Sequence, residues 1–159
     1  MNHPGKVGIK GRKIAVLIAN GVDAASVDKM VKALEAQSAR PMLLGPTSAP
    51  VKAADGTQLP VDASMEGMPS IMFDGIVVPA GKASTDAMAA SGLAKHFLLE
   101  GYKHLKAMVL TQELLATLGL KEDKGLLTGD DQKAMDAFVK AVEGHRVWER
   151  EAAAEAVPA

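Results

Sequence analysis

Two kinds of hydrophobic pattern alternate along this chain. Short unbroken apolar runs are separated by longer stretches in which apolar residues recur every three or four positions. Lys13-Ile14-Ala15-Val16-Leu17-Ile18-Ala19 is a run of the first kind and predicts a strand covered on both faces, because no polar residue marks a solvent side. Asn20-Gly21-Val22-Asp23 turns the chain, and Asp23 stands where a helix N-cap would. Val27, Met30, Val31 and Leu34 then fall at i, i+3, i+4 and i+7, one face of a helix spanning about 24–37. Pro41-Met42-Leu43-Leu44-Gly45 is a second short strand. A strand, a helix and a strand in that order imply parallel pairing with a right-handed crossover.

The pattern continues to the C-terminus. Val51-Lys52-Ala53 and Gln58-Leu59-Pro60-Val61 flank Asp55-Gly56 and predict a hairpin, which belongs at an edge because Pro60 cannot donate to an interior ladder. Residues 63–68 read as a helical turn. Phe73-Asp74-Gly75-Ile76-Val77-Val78-Pro79-Ala80-Gly81 is the stretch around which the chain is organised: a β-branched apolar run, ended by Pro79 and released into a loop at Gly81. Helices are expected over 84–90 and 93–105, the second turning Phe97, Leu98, Tyr102 and Leu105 inward. Ala107-Met108-Val109-Leu110 is a further strand, with a helix over about 112–118 after it. Residues 121–124 form a charged loop, and Gly125-Leu126-Leu127-Thr128 is a weak last strand. Asp130 or Asp131 caps a final helix striped by Met135, Phe138, Val139 and Val142. No internal repeat is visible. The alternation of strands and helices predicts an α/β fold, a three-layer sandwich with a mostly parallel central sheet, flavodoxin-like in outline. Residues 1–12 read as a flexible lead-in, 13–150 as one domain and 151–159 as a frayed Ala-rich tail.

Composition sharpens this picture in three places. Aromatic residues make up only 3% of a chain that is 48% apolar, so the core is built from aliphatic side chains and Met. The net charge is −1, from 18 basic and 19 acidic residues, which argues against a nucleic-acid partner. There is no Cys, hence no disulfide, thiolate nucleophile or Cys-ligated metal. No apolar run approaches the roughly 20 residues of a membrane span, and 1–6 lack the apolar segment of a signal peptide, so the reading is a soluble cytoplasmic chain or a piece of one.

Candidate chemistry is sparse. In an open parallel sheet ligands bind beyond the carboxyl ends of the strands. Here that edge carries Asn20, Asp23, Pro79, Gly81 and Thr111, a possible ligand crevice. Ala80-Gly81-Lys82-Ala83-Ser84 resembles the end of a phosphate-binding loop, but Ala83 stands where a Mg²⁺-binding hydroxyl is needed and Ile76 where the first Gly belongs. No G-x-G-x-x-G follows the first strand. The histidines, His3, His96, His104 and His145, include no pair at helical ligand spacing, and no metal site is expected. Thr111 offers a hydroxyl on a strand-to-helix turn, yet no Gly flanks it to permit a nucleophile elbow, and a helix N-cap is the better reading. Trp148 reads as a packing anchor near the end of the last helix.

Several segments together carry a family resemblance. Gly11-Arg12-Lys13-Ile14-Ala15-Val16-Leu17 with Asn20-Gly21-Val22-Asp23, Ala54-Asp55-Gly56-Thr57-Gln58-Leu59-Pro60, Phe73-Asp74-Gly75-Ile76-Val77-Val78-Pro79, Glu100-Gly101-Tyr102-Lys103-His104-Leu105-Lys106 and His145-Arg146-Val147-Trp148-Glu149-Arg150 are in order and span about 11–150. They resemble the C-terminal domain of large-subunit catalases. That resemblance implies a fold shared with the ThiJ/PfpI and class I glutamine amidotransferase-like superfamily. ThiJ/PfpI enzymes use a Cys at the elbow and an acidic residue after the first strand. Here the elbow falls in the window Leu110, Thr111, Gln112, or near Gly81 if the central strand is the matching one. The acidic position falls near Ser26, with Asp23 the nearest carboxylate.

With no Cys at either place, the resemblance implies a non-catalytic domain without a cofactor of its own. The haem, its Tyr ligand and the distal His would belong to a preceding catalase core domain. Tyr102, the single Tyr, lies in a segment that resembles the appendage itself. The implied role is structural: stabilising an oligomer by self-association, docking on the core domain, shaping access to its haem, or chaperone-like protection of unfolded client chains. The competing expectation is a ThiJ/PfpI-type glyoxalase, deglycase or peptidase with a non-Cys nucleophile such as Thr111.

Overall fold

The computed structural model describes residues 8–123 and 125–144. The sequence expectations for 1–7, for His145 to Trp148 and for the tail lie outside the described residues. The chain runs β1 (Lys13–Leu17), α1 (Ala24–Glu35), β2 (Arg40–Gly45), β3 (Val51–Lys52), β4 (Gln58–Leu59), β5 (Ala63–Ser64), a 3-10 turn (Ser70–Met72), β6 (Gly75–Val77), α2 (Lys82–Ala89), α3 (Gly92–Lys103), β7 (Ala107–Leu110), α4 (Gln112–Thr117), β8 (Leu126–Thr128) and α5 (Gln132–Glu143). Six strands form one sheet in the order β5-β2-β1-β6-β7-β8, and every neighbouring pair in it is parallel. The expected flavodoxin-like sandwich is what the chain forms.

Strand alternation builds the layers. Ala15, Leu17, Ile76, Met108 and Leu110 point to one face, where they meet Met88, Phe97, Leu98, Tyr102 and Leu114. Ile14, Val16, Val77 and Val109 point to the other, against Val27, Met30, Leu34, Met135, Phe138 and Val142. The two cores explain why the strands read as continuous apolar runs. Gly75 is required by this packing: a Cβ there would lie 2.7 Å from the Phe138 ring.

The helix starts follow local hydrogen-bonding chemistry. The Asp23 carboxylate accepts from the Ala25 N–H, Ser91 from Ala94, Thr111 from Leu114 and Asp131 from Ala134. Each satisfies one of the donors that a first helical turn leaves unpaired. The hairpin also forms as expected: β3 and β4 pair antiparallel as a separate ribbon, and β4 ends before Pro60.

Two expectations change. Residues 63–68 are not simply a helical turn, because Ala63–Ser64 is an edge strand parallel to β2. The backbone groups of β2 would otherwise be unpaired there; Leu43 N–H donates to the Asp62 carboxylate at 2.8 Å and Met65 N–H to the Gly45 carbonyl at 2.9 Å. The turn is shorter and follows this strand, with Gly67 N–H on the Ser64 hydroxyl. At the other end of the chain, the stretch 8–12 is not a free lead-in. Ile9 is 1% exposed, Gly11 N–H donates to the Ser38 carbonyl, and the Arg12 guanidinium reaches the Val142 carbonyl at 3.1 Å.

Candidate functional site

The carboxyl ends of β6, β7 and β8 open into a crevice of about 400 Å³. Val78 and Leu110 give it apolar wall. Ala80, Gly81, Lys82 and Thr85 line it from the start of α2, Thr111, Gln112 and Glu113 from the start of α4, and Thr128, Gly129 and Asp130 from the loop after β8. The parallel topology creates this place, since every strand in the sheet delivers its carboxyl end to the same edge.

Gly81 allows the chain to enter α2. Its φ of +141° lies where L side chains are strained, and a Cβ would sit 2.8 Å from the Asp23 nitrogen and the Val22 Cα. The turn before α1 therefore packs directly on the turn before α2, joined by Asp23 N–H to the Ala80 carbonyl at 2.9 Å. Beneath this junction Ser26 is 1% exposed, and its hydroxyl accepts the Ala80 N–H at 2.9 Å. The Ser26 hydroxyl also holds the Asp130 carboxyl below the usual carboxylate range, with the ammonium of Lys29, 3.4 Å away, adding to the effect against partial burial.

The structure brings together four of the sequence-predicted positions: Gly81, Leu110, Thr111 and Gln112 all line the crevice. Asn20, Asp23 and Pro79 do not. The Asn20 side-chain oxygen is taken by the Lys52 N–H at 2.9 Å, Asp23 caps α1, and Pro79 is buried. Ser26 sits on the junction behind the crevice rather than in its wall. Thr111 accepts the Leu114 N–H at 3.3 Å, so its hydroxyl serves as the cap of α4. Gln112 donates to the Thr128 hydroxyl at 3.3 Å, which donates onward to Glu122 at 2.9 Å. The sequence pattern marks none of Thr85, Glu113 and Thr128 as a site residue, and it offers Asp130 only as an alternative to Asp131 for the cap of α5, a role that Asp131 takes. Glu113, Thr128 and Asp130 lie within a few residues after an apolar run, and that position was the available signal.

A second, smaller hollow of about 260 Å³ lies between the 3-10 turn and α3, lined by Met65, Pro69, Ile71, Leu93 and Phe97 with His96, Glu100 and His104. Both imidazoles lie 3.7 Å from the Glu100 carboxylate. Ile71, Met72 and Leu93 are the large apolar side chains left exposed among the described residues, at 62%, 48% and 38%.

No group of three or more His, Asp or Glu among the described residues could hold a metal ion, and no helix among them is long and apolar enough to cross a membrane. The residues do not fit a haem. Tyr102 is buried in an aliphatic core, and His96 and His104 share a surface carboxylate instead of facing a deep apolar slot.

Residues 10–152 match a family model described as the C-terminal domain found in long catalases. Catalase HPII of Pseudomonas putida is 89% identical over 159 residues, which is all of this chain and 22% of that protein. Catalase HPII of Pseudomonas aeruginosa is 40% identical over 157 residues, covering 95% of this chain and 22% of that one. Catalase-B of Dictyostelium discoideum is 34% identical over 156 residues, with the same coverage of 95% and 22%. The chain thus spans about a fifth of the length of these curated relatives. Among solved structures, Drosophila melanogaster DJ-1beta superposes with a TM-score of 0.73 at 18% identity, covering 91% of this chain and 95% of that one. A DJ-1 superfamily protein from Salmonella typhimurium gives 0.72 at 17%, covering 91% and 94%. At such identity the likeness concerns the fold.

Proposed function

Because the chain belongs to the family of C-terminal domains found in long catalases, we propose that it acts as a non-catalytic, stabilising domain of a haem catalase that decomposes hydrogen peroxide. The observation that carries this reading is the family match over 10–152, together with an elbow position at which Thr111 is a helix cap and no Cys is present. The haem and its ligands would reside in a core domain elsewhere in the parent protein, which would be cytoplasmic.

The domain would dock on that core through the exposed apolar side chains Ile71, Met72 and Leu93 around the α3 hollow. The relatives are about five times as long as this chain, so a large surface of the same polypeptide is available to cover them. Exposed apolar patches of this kind mark contact surfaces. The same patch is what a chaperone-like role would use. A heat-aggregation assay with an unrelated client protein separates the two, because docking on a core predicts no protection of the client.

The test of the main reading is the intact mass and absorption spectrum of the protein from its native source. A chain several times longer, with a Soret band and peroxide turnover, is the expected result. A 159-residue product without haem, showing no association with any catalase, would overturn it.

A further inference from the structure

We propose that the crevice at the carboxyl ends of β6, β7 and β8 binds a small aliphatic α-amino acid, with its carboxylate against the start of α2 and its ammonium toward Glu113 and Asp130. This inference does not depend on the catalase assignment.

Thr85 is the first observation. It lines the crevice and is 2% exposed, yet its hydroxyl has no hydrogen-bond partner among the described residues. Buried hydroxyls are nearly always paired, so an unpaired one at a crevice wall marks the place of a ligand atom. The other buried hydroxyls on this edge are in use: Ser84 accepts from Ala19 N–H at 3.0 Å and Ser26 from Ala80 N–H.

The start of α2 is the second. No side chain caps it, and the N–H groups of Gly81 and Lys82 meet no acceptor among the described residues. These donors and the helix dipole favour negative charge beside Thr85. Lys82 adds a cation there, held only by an exposed pair with Asp86 at 3.1 Å.

Carboxylates complete the lining. Glu113 and Asp130 both belong to it, Asp130 held beside the entry to α2 through Ser26, and Glu113 makes no ion pair among the described residues. Asp130 retains its Lys29 partner on one oxygen. A simple anion would face these two carboxylates, and a simple cation would leave the α2 donors and Thr85 unmet. A zwitterion satisfies both sets of groups, and the crevice floor at Val78 and Leu110, each 1% exposed, is apolar.

The experiment is calorimetric titration of the purified chain with L-valine, with isovalerate (the same molecule without its amine) and with isobutylamine (without its carboxylate). Valine should bind at least about tenfold more tightly than either control. Thr85→Val should weaken valine binding about tenfold, since it removes a hydrogen bond to a charged group. That variant should be no less heat-stable than the parent when empty, because no buried hydroxyl is left unpaired. Glu113→Gln, at an exposed position, should weaken valine binding without changing isovalerate binding. Absence of binding by valine, alanine and leucine would overturn the proposal, as would isovalerate binding as tightly as valine.

Discussion

Ser26 and Ala80 are 54 residues apart in the chain and are joined by a 2.9 Å hydrogen bond from the Ala80 N–H to the Ser26 hydroxyl. The bond ties the first turn of α1 to the loop after β6, and with it the two turns that shape the crevice. Ser26→Ala leaves that N–H without its partner. Stability should fall by about 1–3 kcal/mol, read as a lower urea midpoint with an unchanged slope. The same change should raise the pKa of Asp130, whose carboxylate loses the Ser26 hydrogen bond.

Asp130 also makes stability depend on pH. Its carboxyl is held below the usual range in the folded chain by Ser26 first and by Lys29 as well. A depressed folded-state pKa means that the unfolded chain binds the proton more readily. The contribution is therefore present in full above the ordinary carboxylate pKa and is lost as pH falls through the lower folded value. Thermal midpoints measured from neutral pH down into the acid range should fall less steeply in Asp130→Asn than in the parent. An unchanged acid slope would show that this carboxylate is not linked to folding.

Gly75 and Phe138 give a packing prediction with a built-in control. Gly75→Ala places a Cβ 2.7 Å from the ring, with Val142 a further 3.1 Å neighbour, so α5 must shift. The expected loss is about 1–3 kcal/mol, typical of overpacking. Adding Phe138→Leu to Gly75→Ala should cost less than the two single losses combined, because the second change vacates the space that the first needs. Additive losses in denaturant unfolding would place the strain elsewhere.

What could be read from the sequence follows the distance over which its cause acts. Asp23 and Thr111 were legible as caps, and Asp131 as one of two candidates beside Asp130, because a cap is a contact between a side chain and a backbone N–H two or three residues on. The strands around Val16, Ile76 and Val109 were legible because burial on both faces leaves an unbroken apolar run. Ala63–Ser64 was not, since two residues become a strand only by completing the edge of β2. Ile9 was hidden for a similar reason: one apolar residue in a polar stretch signals nothing until the groove that receives it exists. In the crevice, Gly81 and Thr111 announced themselves by following strands. Thr85 lies a turn inside α2, and Asp130 gains its place in the crevice only when the fold sets it beside Ser26.

Thr111 distinguishes a cap from a nucleophile. As a cap it accepts the Leu114 N–H at 3.3 Å, and Thr111→Ala should cost about 1 kcal/mol while Thr111→Asn or Thr111→Ser largely preserves stability. As a nucleophile it would confer turnover of an electrophile such as methylglyoxal, lost in Thr111→Asn and insensitive to iodoacetamide because the chain has no Cys. The geometry favours the first outcome. The expected result is a stability series that follows capping preference, with no methylglyoxal turnover in any member.

Ile71 and Met72 are the most direct test of docking. They are 62% and 48% exposed, and Ile71 lines the α3 hollow, so the isolated chain gains little from their apolar side chains. Ile71→Ser with Met72→Ser should leave its denaturation midpoint within about 0.5 kcal/mol of the parent, as surface changes do. In a long catalase that carries this domain, the same pair should behave differently, because each side chain buried against the core contributes roughly 1.5–3 kcal/mol. The domain should then be cut away by protease several-fold faster, while peroxide turnover by the intact enzyme at moderate temperature stays the same. Equal protease resistance in variant and parent would mean that the core does not cover this patch.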